Sequence, residues 1–414
     1  MIEFEKSVLP NGLTVITHQD TTSPMAAVNV LYKVGSRNES PDHTGFAHLF
    51  EHLMFGGSEN VIDFDSVIQE AGGENNAFTN SDYTNFYDTL PVENIESALW
   101  VEADRMSNLI ISKESLDIQR KVVVEEFKEV CLNTPYGDAW HHLSSMCYYK
   151  HPYNWPTIGK MPEHIDQATI EDVSHFYQKY YSPQNAILSI ASSLSHTKMK
   201  ELATKWFEEI ESTHKPFDKL PTEPLQKEKR QKNVTADVPV KSLFMAFPMP
   251  DRLHRKFYIC DLLSDLLASG KSSRLYHHLV KKKPHFSSIN AYISGTFDPG
   301  LFIIEGHPMP EIDMAEAKKL IWEEVNAVKN GEVSDREITK LKNKLTTEII
   351  LSNLDILNKA MVLSFFEALG DAGYANTQID HYNAITKEDV SDVASEILVE
   401  ERLNELIYLP SQNN

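Results

Sequence analysis

This sequence holds little that would crosslink it, carry it through a membrane or bind polyanions. It has only three cysteines, Cys131, Cys147 and Cys260, and none is in a C-x-x-C spacing. They give no disulfide framework and no reason to assign them a metal, so they read as free thiols in a reducing compartment. No run of eighteen apolar residues occurs, so no membrane-spanning helix is expected. Met1 to Lys6 lacks the basic start and apolar stretch of a signal peptide. A cytoplasmic location is therefore expected, or a periplasmic one if a leader precedes this sequence. Basic residues are in deficit: 39 Lys and Arg stand against 60 Asp and Glu, for a net charge of −21. That balance excludes a general nucleic-acid role, because phosphate binding needs a basic surface, but it suits neutral or basic peptides.

What remains is the composition of an ordinary globular protein, 41% hydrophobic and 24% charged over 414 residues, long enough for two domains. One stretch organises it. Gly45 to Phe55 places His48, Glu51 and His52 on a short helix among Leu49, Phe50, Leu53, Met54 and Phe55. His48 and His52 are one turn apart and project from the same face, with Glu51 beside them. Ionisable groups in such apolar surroundings are costly unless a metal or partners satisfy them. The order H-x-x-E-H is the inverzincin form of the metallopeptidase zinc motif.

Around this helix the chain alternates between strand and helix patterns. Lys6 to Tyr32 reads as a hairpin, with its turn signal at Leu9-Pro10-Asn11-Gly12 and strands at Leu13 to Thr17 and Ala26 to Tyr32. Asn75 to Tyr87 reads as two strands around a short turn, and helical patterns follow at Ile95 to Met106 and Ser115 to Cys131. Residues 212–233 are rich in proline and charge and read as a linker between a domain at 1–211 and another at 234–414. After the linker the pattern repeats. Thr169-Ile170-Glu171-Asp172-Val173 is echoed at Thr386-Lys387-Glu388-Asp389-Val390, an offset of 217 residues, and Phe257 to Leu267 takes the place of the His48 helix but carries no histidine. The chain therefore reads as two diverged copies of one unit of strands and helices, with a single metal site.

Catalytic zinc takes three protein ligands and leaves one position open. The Ser115 to Cys131 helix offers Glu125, Glu126 and Glu129. Helical phase sets Glu126 in a stripe with Val122, Val123 and Val130, and Glu125 and Glu129 in a polar stripe with Lys121. A carboxylate on an apolar face needs a metal or a buried ion pair; zinc coordination is the reading adopted. Glu51 then remains free as general base. The adjacent pairs His141-His142 and His277-His278 face different ways on a helix and read as surface or packing residues.

These residues resemble the pitrilysin and insulin-degrading family of zinc metallopeptidases, closest to its processing-peptidase-like bacterial branch. The resemblance runs along essentially the whole chain. It rests on His48-Leu49-Phe50-Glu51-His52, on Glu126 lying 74 residues beyond His52, and on Asn76-Ala77-Phe78-Thr79 followed by Tyr83-Thr84-Asn85. It implies an α+β fold of two homologous domains, each an antiparallel-rich sheet packed with helices, arranged as half a clam shell. It also implies a Zn2+ cofactor, unfolded peptide substrates, and a homodimer or a heterodimer with a homologous chain enclosing a digestion chamber. Asn76, Ala77 and Phe78 would bind the substrate backbone by strand addition. Two positions depart from the family pattern. Gln119 stands where a glutamate usually supports the metal site, and Lys281 and Ser287 stand where an Arg and a Tyr usually hold the scissile carbonyl. The second departure implies that the carbonyl-binding pair comes from a different chain.

Overall fold

The computed structural model describes residues 1–213 and 219–411; residues 214–218 of the expected linker and the last three residues lie outside the described set. The chain forms two compact units, each discontinuous in sequence. Unit 1 comprises residues 1–129, 155–221 and 350–377, and unit 2 comprises 130–154, 222–349 and 378–414. The boundary at 221/222 falls inside the expected linker. The stretch ends earlier than 233, however, because Arg230–Ala236 is a strand.

Unit 1 is built on a six-stranded sheet of β1 (Glu5–Val8), β2 (Thr14–Gln19), β3 (Met25–Tyr32), β4 (Glu74–Thr79), β5 (Thr84–Pro91) and β6 (Ala186–Ser192), in the order β1-β2-β6-β3-β5-β4. Only β2 and β6 run parallel. The turn at Leu9–Gly12 does make a hairpin, but of β1 with β2; the strands expected at Leu13 to Thr17 and Ala26 to Tyr32 form as β2 and β3 without pairing with each other. They stay apart because β6, buried at all seven positions, inserts between them. A strand apolar on both faces gains most at the centre of a sheet.

Alternation along the strands sends Val15, Val30 and Leu188 to one face and Ile16, Leu31 and Ile187 to the other. The first face is covered by the helix Phe46–Leu53, α1, and by the helix Ile95–Ser107. The second is covered by the helix Ile356–Ala368, whose Leu363 and Phe366 pack on it. This helix lies far along the sequence, outside the expected first domain at 1–211. Polar contacts fix it. Asn29 Nδ2 donates to Ser364 Oγ at 2.9 Å, and Lys359 pairs with the buried Asp20.

Unit 2 repeats the plan. Strands β7 (Arg230–Ala236), β8 (Ser242–Pro248), β9 (Phe286–Ile293), β10 (Leu301–Pro308) and β11 (Asn404–Pro410) lie in the order β7-β11-β8-β10-β9, with only β7 and β11 parallel. Strand for strand this matches β2-β6-β3-β5-β4. The 217-residue offset recurs in the structure, carrying β5 at 84–91 onto β10 at 301–308 and the helix Ile170–Tyr180 onto Lys387–Ile397. One face packs on the helix Arg255–Ala268, the other on Ala139–Cys147.

The Lys359 contact holds the Asp20 carboxyl well below the usual carboxylate range, helped by the Thr22 hydroxyl. Because the folded value is depressed, the pair stabilises above the unfolded value near 3.9, and this contribution is lost as pH falls toward the folded value. Asp20→Asn should therefore lower the unfolding free energy by about 1–2 kcal/mol at pH 7, and the gap from the parent should narrow at about pH 3. Urea titrations at both pH values measure it. An equal gap at both would show that the ion pair is not the source.

Candidate metal centre

α1 has one face dictated by packing. Phe46, Ala47, Leu49, Phe50 and Leu53 are buried, and Phe50 stacks on Phe176 and Tyr181 at centroid distances of 5.2 and 5.1 Å. This fixes the helix rotation, and His48, Glu51 and His52 emerge half-buried on the remaining side. The helix start is fixed as tightly. Gly45 has φ +87°, and a Cβ there would lie 2.8 Å from both Ile158 O and Ile165 Cδ1, so only glycine fits. Before it, the Glu39 carboxylate accepts the N–H groups of Gly45 and Ala47 and the indole N–H of Trp155. The sequence reading missed Glu39 and Trp155, because a carboxylate in a polar loop 116 residues before a tryptophan leaves no periodic signal.

Glu126 comes from the helix Lys113–Phe127, whose N-terminus is capped by Ser112 Oγ accepting Ser115 N–H at 3.0 Å. Arg120 ties this helix to the carbonyls of Asp166 and Ala168, both at 2.9 Å. The buried face is Leu116, Val123 and Phe127. Val122 and Val130 are 45% and 48% exposed, and the Glu126 side chain is 39% exposed. Glu126 therefore does not sit in a buried stripe: the phase argument reached this residue from a premise the structure corrects.

The three side chains converge. His48 Nε2 lies 3.7 Å from Glu126 Oε1, and His52 Nε2 lies 3.4 Å from Glu126 Oε2. All three candidate ligand atoms fall within 4.8 Å of one another, and no other group of three metal-ligating side chains lies as close among the described residues. These separations exceed those of a charge-assisted hydrogen bond, about 2.7–2.9 Å. They match the edge of a tetrahedron with bonds of about 2.0–2.1 Å, roughly 3.3 Å. The donor set of two imidazoles and one carboxylate suits zinc, so the residues present fit the ion. Burial pushes the His48 imidazole below its ordinary value and so favours the neutral form that can ligate a metal, while the charge of Glu126 opposes this. The His52 contact holds the Glu126 carboxyl below its usual range.

The remaining predicted residues are placed as follows. Gln119 lies two turns before Glu126 on the same helix face, half-buried. Asn76, Ala77 and Phe78 lie on β4, the sheet edge that packs beside α1. There the Asn76 side chain accepts the Ala77 N–H at 2.8 Å. In unit 2, Lys281 and Ser287 are exposed, and Arg274 is committed to an ion pair with Glu337 at 2.9 Å. His142 pairs with Asp138 at 3.1 Å and His278 with Glu324 at 2.6 Å.

The 217-residue offset that relates the copies carries His48 to Asp265 and His52 to Ser269. Lys344, on the helix Asp335–Ser352, donates to both Asp265 Oδ2 and Ser269 Oγ at 2.8 Å. Where unit 1 gathers three ligands, unit 2 holds an ammonium group.

Residues 14–160 match the family described as Insulinase (Peptidase family M16), and residues 167–345 match the Peptidase M16 inactive domain. The chain is similar to the zinc protease PqqE of Helicobacter pylori, at 31% identity over 362 residues covering 85% of this chain and 80% of that one. It is similar to a probable mitochondrial-processing peptidase subunit beta of Arabidopsis thaliana, at 24% identity over 370 residues covering 84% and 67%. Among solved structures, a protease from Helicobacter pylori aligns with a TM-score of 0.93 at 28% identity, covering 99% of this chain and 100% of that one. The inverted motif, the duplicated α+β unit whose second copy lacks it, and relatedness over this length agree, and the chain belongs to the M16 (insulinase) family of peptidases.

Proposed function

We propose that this chain is a zinc-dependent endopeptidase that hydrolyses unfolded peptides in a chamber closed by a second chain. The observation that carries the reading is the convergence of His48, His52 and Glu126 with Glu51 one residue before a ligand on the same helix. His48, His52 and Glu126 would hold the ion. Bound Zn2+ supplies Lewis acidity, lowering the pKa of a water toward about 7 and polarising a peptide carbonyl. The Glu51 carboxylate accepts the proton of the attacking water as the new C–O bond forms, then delivers it to the amine as the C–N bond breaks. The β4 edge at Asn76, Ala77 and Phe78 takes the substrate backbone as an added strand. The Asn76 carboxamide, resting on the Ala77 N–H, has to turn aside for this. Gln119, two turns before Glu126, can hydrogen-bond but lacks the charge of a glutamate.

A second chain is favoured by Lys281 and Ser287, which stand exposed where the family resemblance implies a carbonyl-binding Arg and Tyr. A homologous partner supplying that pair makes this chain the zinc-bearing half of a heterodimer.

Glu51→Gln should keep one equivalent of zinc while cutting peptide cleavage by about 10²–10⁴-fold. Metal content and turnover on an unstructured peptide, measured on one preparation, check it, and unchanged cleavage would remove Glu51 as the base. The purified chain alone should cleave slowly, and native mass spectrometry of the cell extract should find it with a homologous chain. Full activity from a homodimer would overturn the heterodimer.

A further inference from the structure

One buried carboxylate beside α1 has no part in the chemistry above. Glu39 is 8% exposed. Its Oε2 accepts the Gly45 N–H at 3.0 Å and the Trp155 indole N–H at 2.9 Å, and its Oε1 accepts the Ala47 N–H at 2.9 Å. All three partners are donors only, so the arrangement is complete for an ionised carboxylate and offers no acceptor for a carboxyl proton. Burial raises the group to about 8 even against the lowering pull of these N–H donors.

The position matters because α1 is eight residues long. A helix of two turns has little stability of its own, and its first N–H groups have no partner within the helix. Ala47 directly precedes His48, so whatever holds its N–H holds the first ligand. The surrounding loop is anchored in the same way: Thr44 Oγ1 accepts the Lys160 N–H and contacts His164 Nδ1, both at 2.8 Å, and the Lys160 ammonium lies 4.6 Å from the Trp155 ring.

We infer that Glu39 is a positioning residue for the metal centre: by gripping Gly45 and Ala47 against Trp155, it sets the height and rotation of α1 and so the aim of His48, Glu51 and His52. This rests on the reading of α1 as the zinc-bearing helix. Glutamine has the same shape but only one acceptor oxygen, and its NH2 group would meet an N–H donor head-on. Aspartate keeps the charge but is a methylene short and cannot reach both ends of the grip.

The test compares the full-length parent chain, Glu39→Gln and Glu39→Asp. Zinc affinity is read by chelator competition, ligand geometry by the visible absorption of the Co2+-substituted protein, and kcat and KM on an unstructured peptide. Glu39→Gln should bind zinc roughly 10–100-fold more weakly, as other groups that orient metal ligands do, with an altered cobalt spectrum. Its kcat should fall about tenfold or more while KM stays within about twofold. Glu39→Asp should shift the spectrum the same way with a smaller loss, and it decides the matter if the glutamine variant does not fold. A parental cobalt spectrum and zinc affinity in the folded variant would overturn the inference, whatever its melting temperature. A parent chain that binds no zinc would instead overturn the reading of the centre itself.

Discussion

The fold of unit 1 turns on how to keep three ionisable groups on a two-turn helix that is otherwise apolar. α1 buries five side chains against the sheet and an aromatic cluster, and its other side carries His48, Glu51 and His52. Desolvating such groups without partners costs several kcal/mol each. The site meets this by bringing up Glu126 from a separate helix, at separations too long for strong hydrogen bonds and suited to a shared cation. Gly45, Phe50 and Arg120 each fix one degree of freedom of the two helices: the start of α1, its rotation, and the station of the Glu126 helix.

Each sheet has two apolar faces, and a single stretch of chain covers only one of them. In unit 1 the second face is closed by Ile356–Ala368, and in unit 2 by Ala139–Cys147. Neither unit is therefore a continuous stretch of sequence. The sheet order places β4 at an edge next to α1, which leaves one row of its backbone groups free of sheet pairing beside the metal centre.

The sequence exposed what depends on spacing. His48 and His52 share a face by helix geometry alone, and the Asp172–Val173 and Asp389–Val390 echo shows a repeat that the structure extends to five matched strands. It was misleading where the decisive contact is distant. Val122 and Val130 made Glu126 look buried, yet both valines face outward, because an apolar stripe does not reveal which side of a helix meets a neighbour. The place of β6 between β2 and β3 depends on a strand more than 150 residues away. Glu39 was invisible because its partners are backbone N–H groups and a remote indole. The exchange of 130–154 and 350–377 between units has no periodicity to betray it.

Lys344 gives the repeat a further meaning. Burial works against its charge, but the contact with Asp265 more than offsets this and holds the ammonium above its ordinary value. Unit 2 thus carries its cation covalently, on a side chain that no chelator can remove and that has no vacant position for a fourth ligand. Unit 1 instead gathers three donor side chains, His48, His52 and Glu126, that fit a cation. The matching pair of helices is closed by a built-in ammonium in unit 2, whereas in unit 1 it brings together two imidazoles and a carboxylate. The clasp of one copy is therefore part of its own chain, while the other copy presents donors alone.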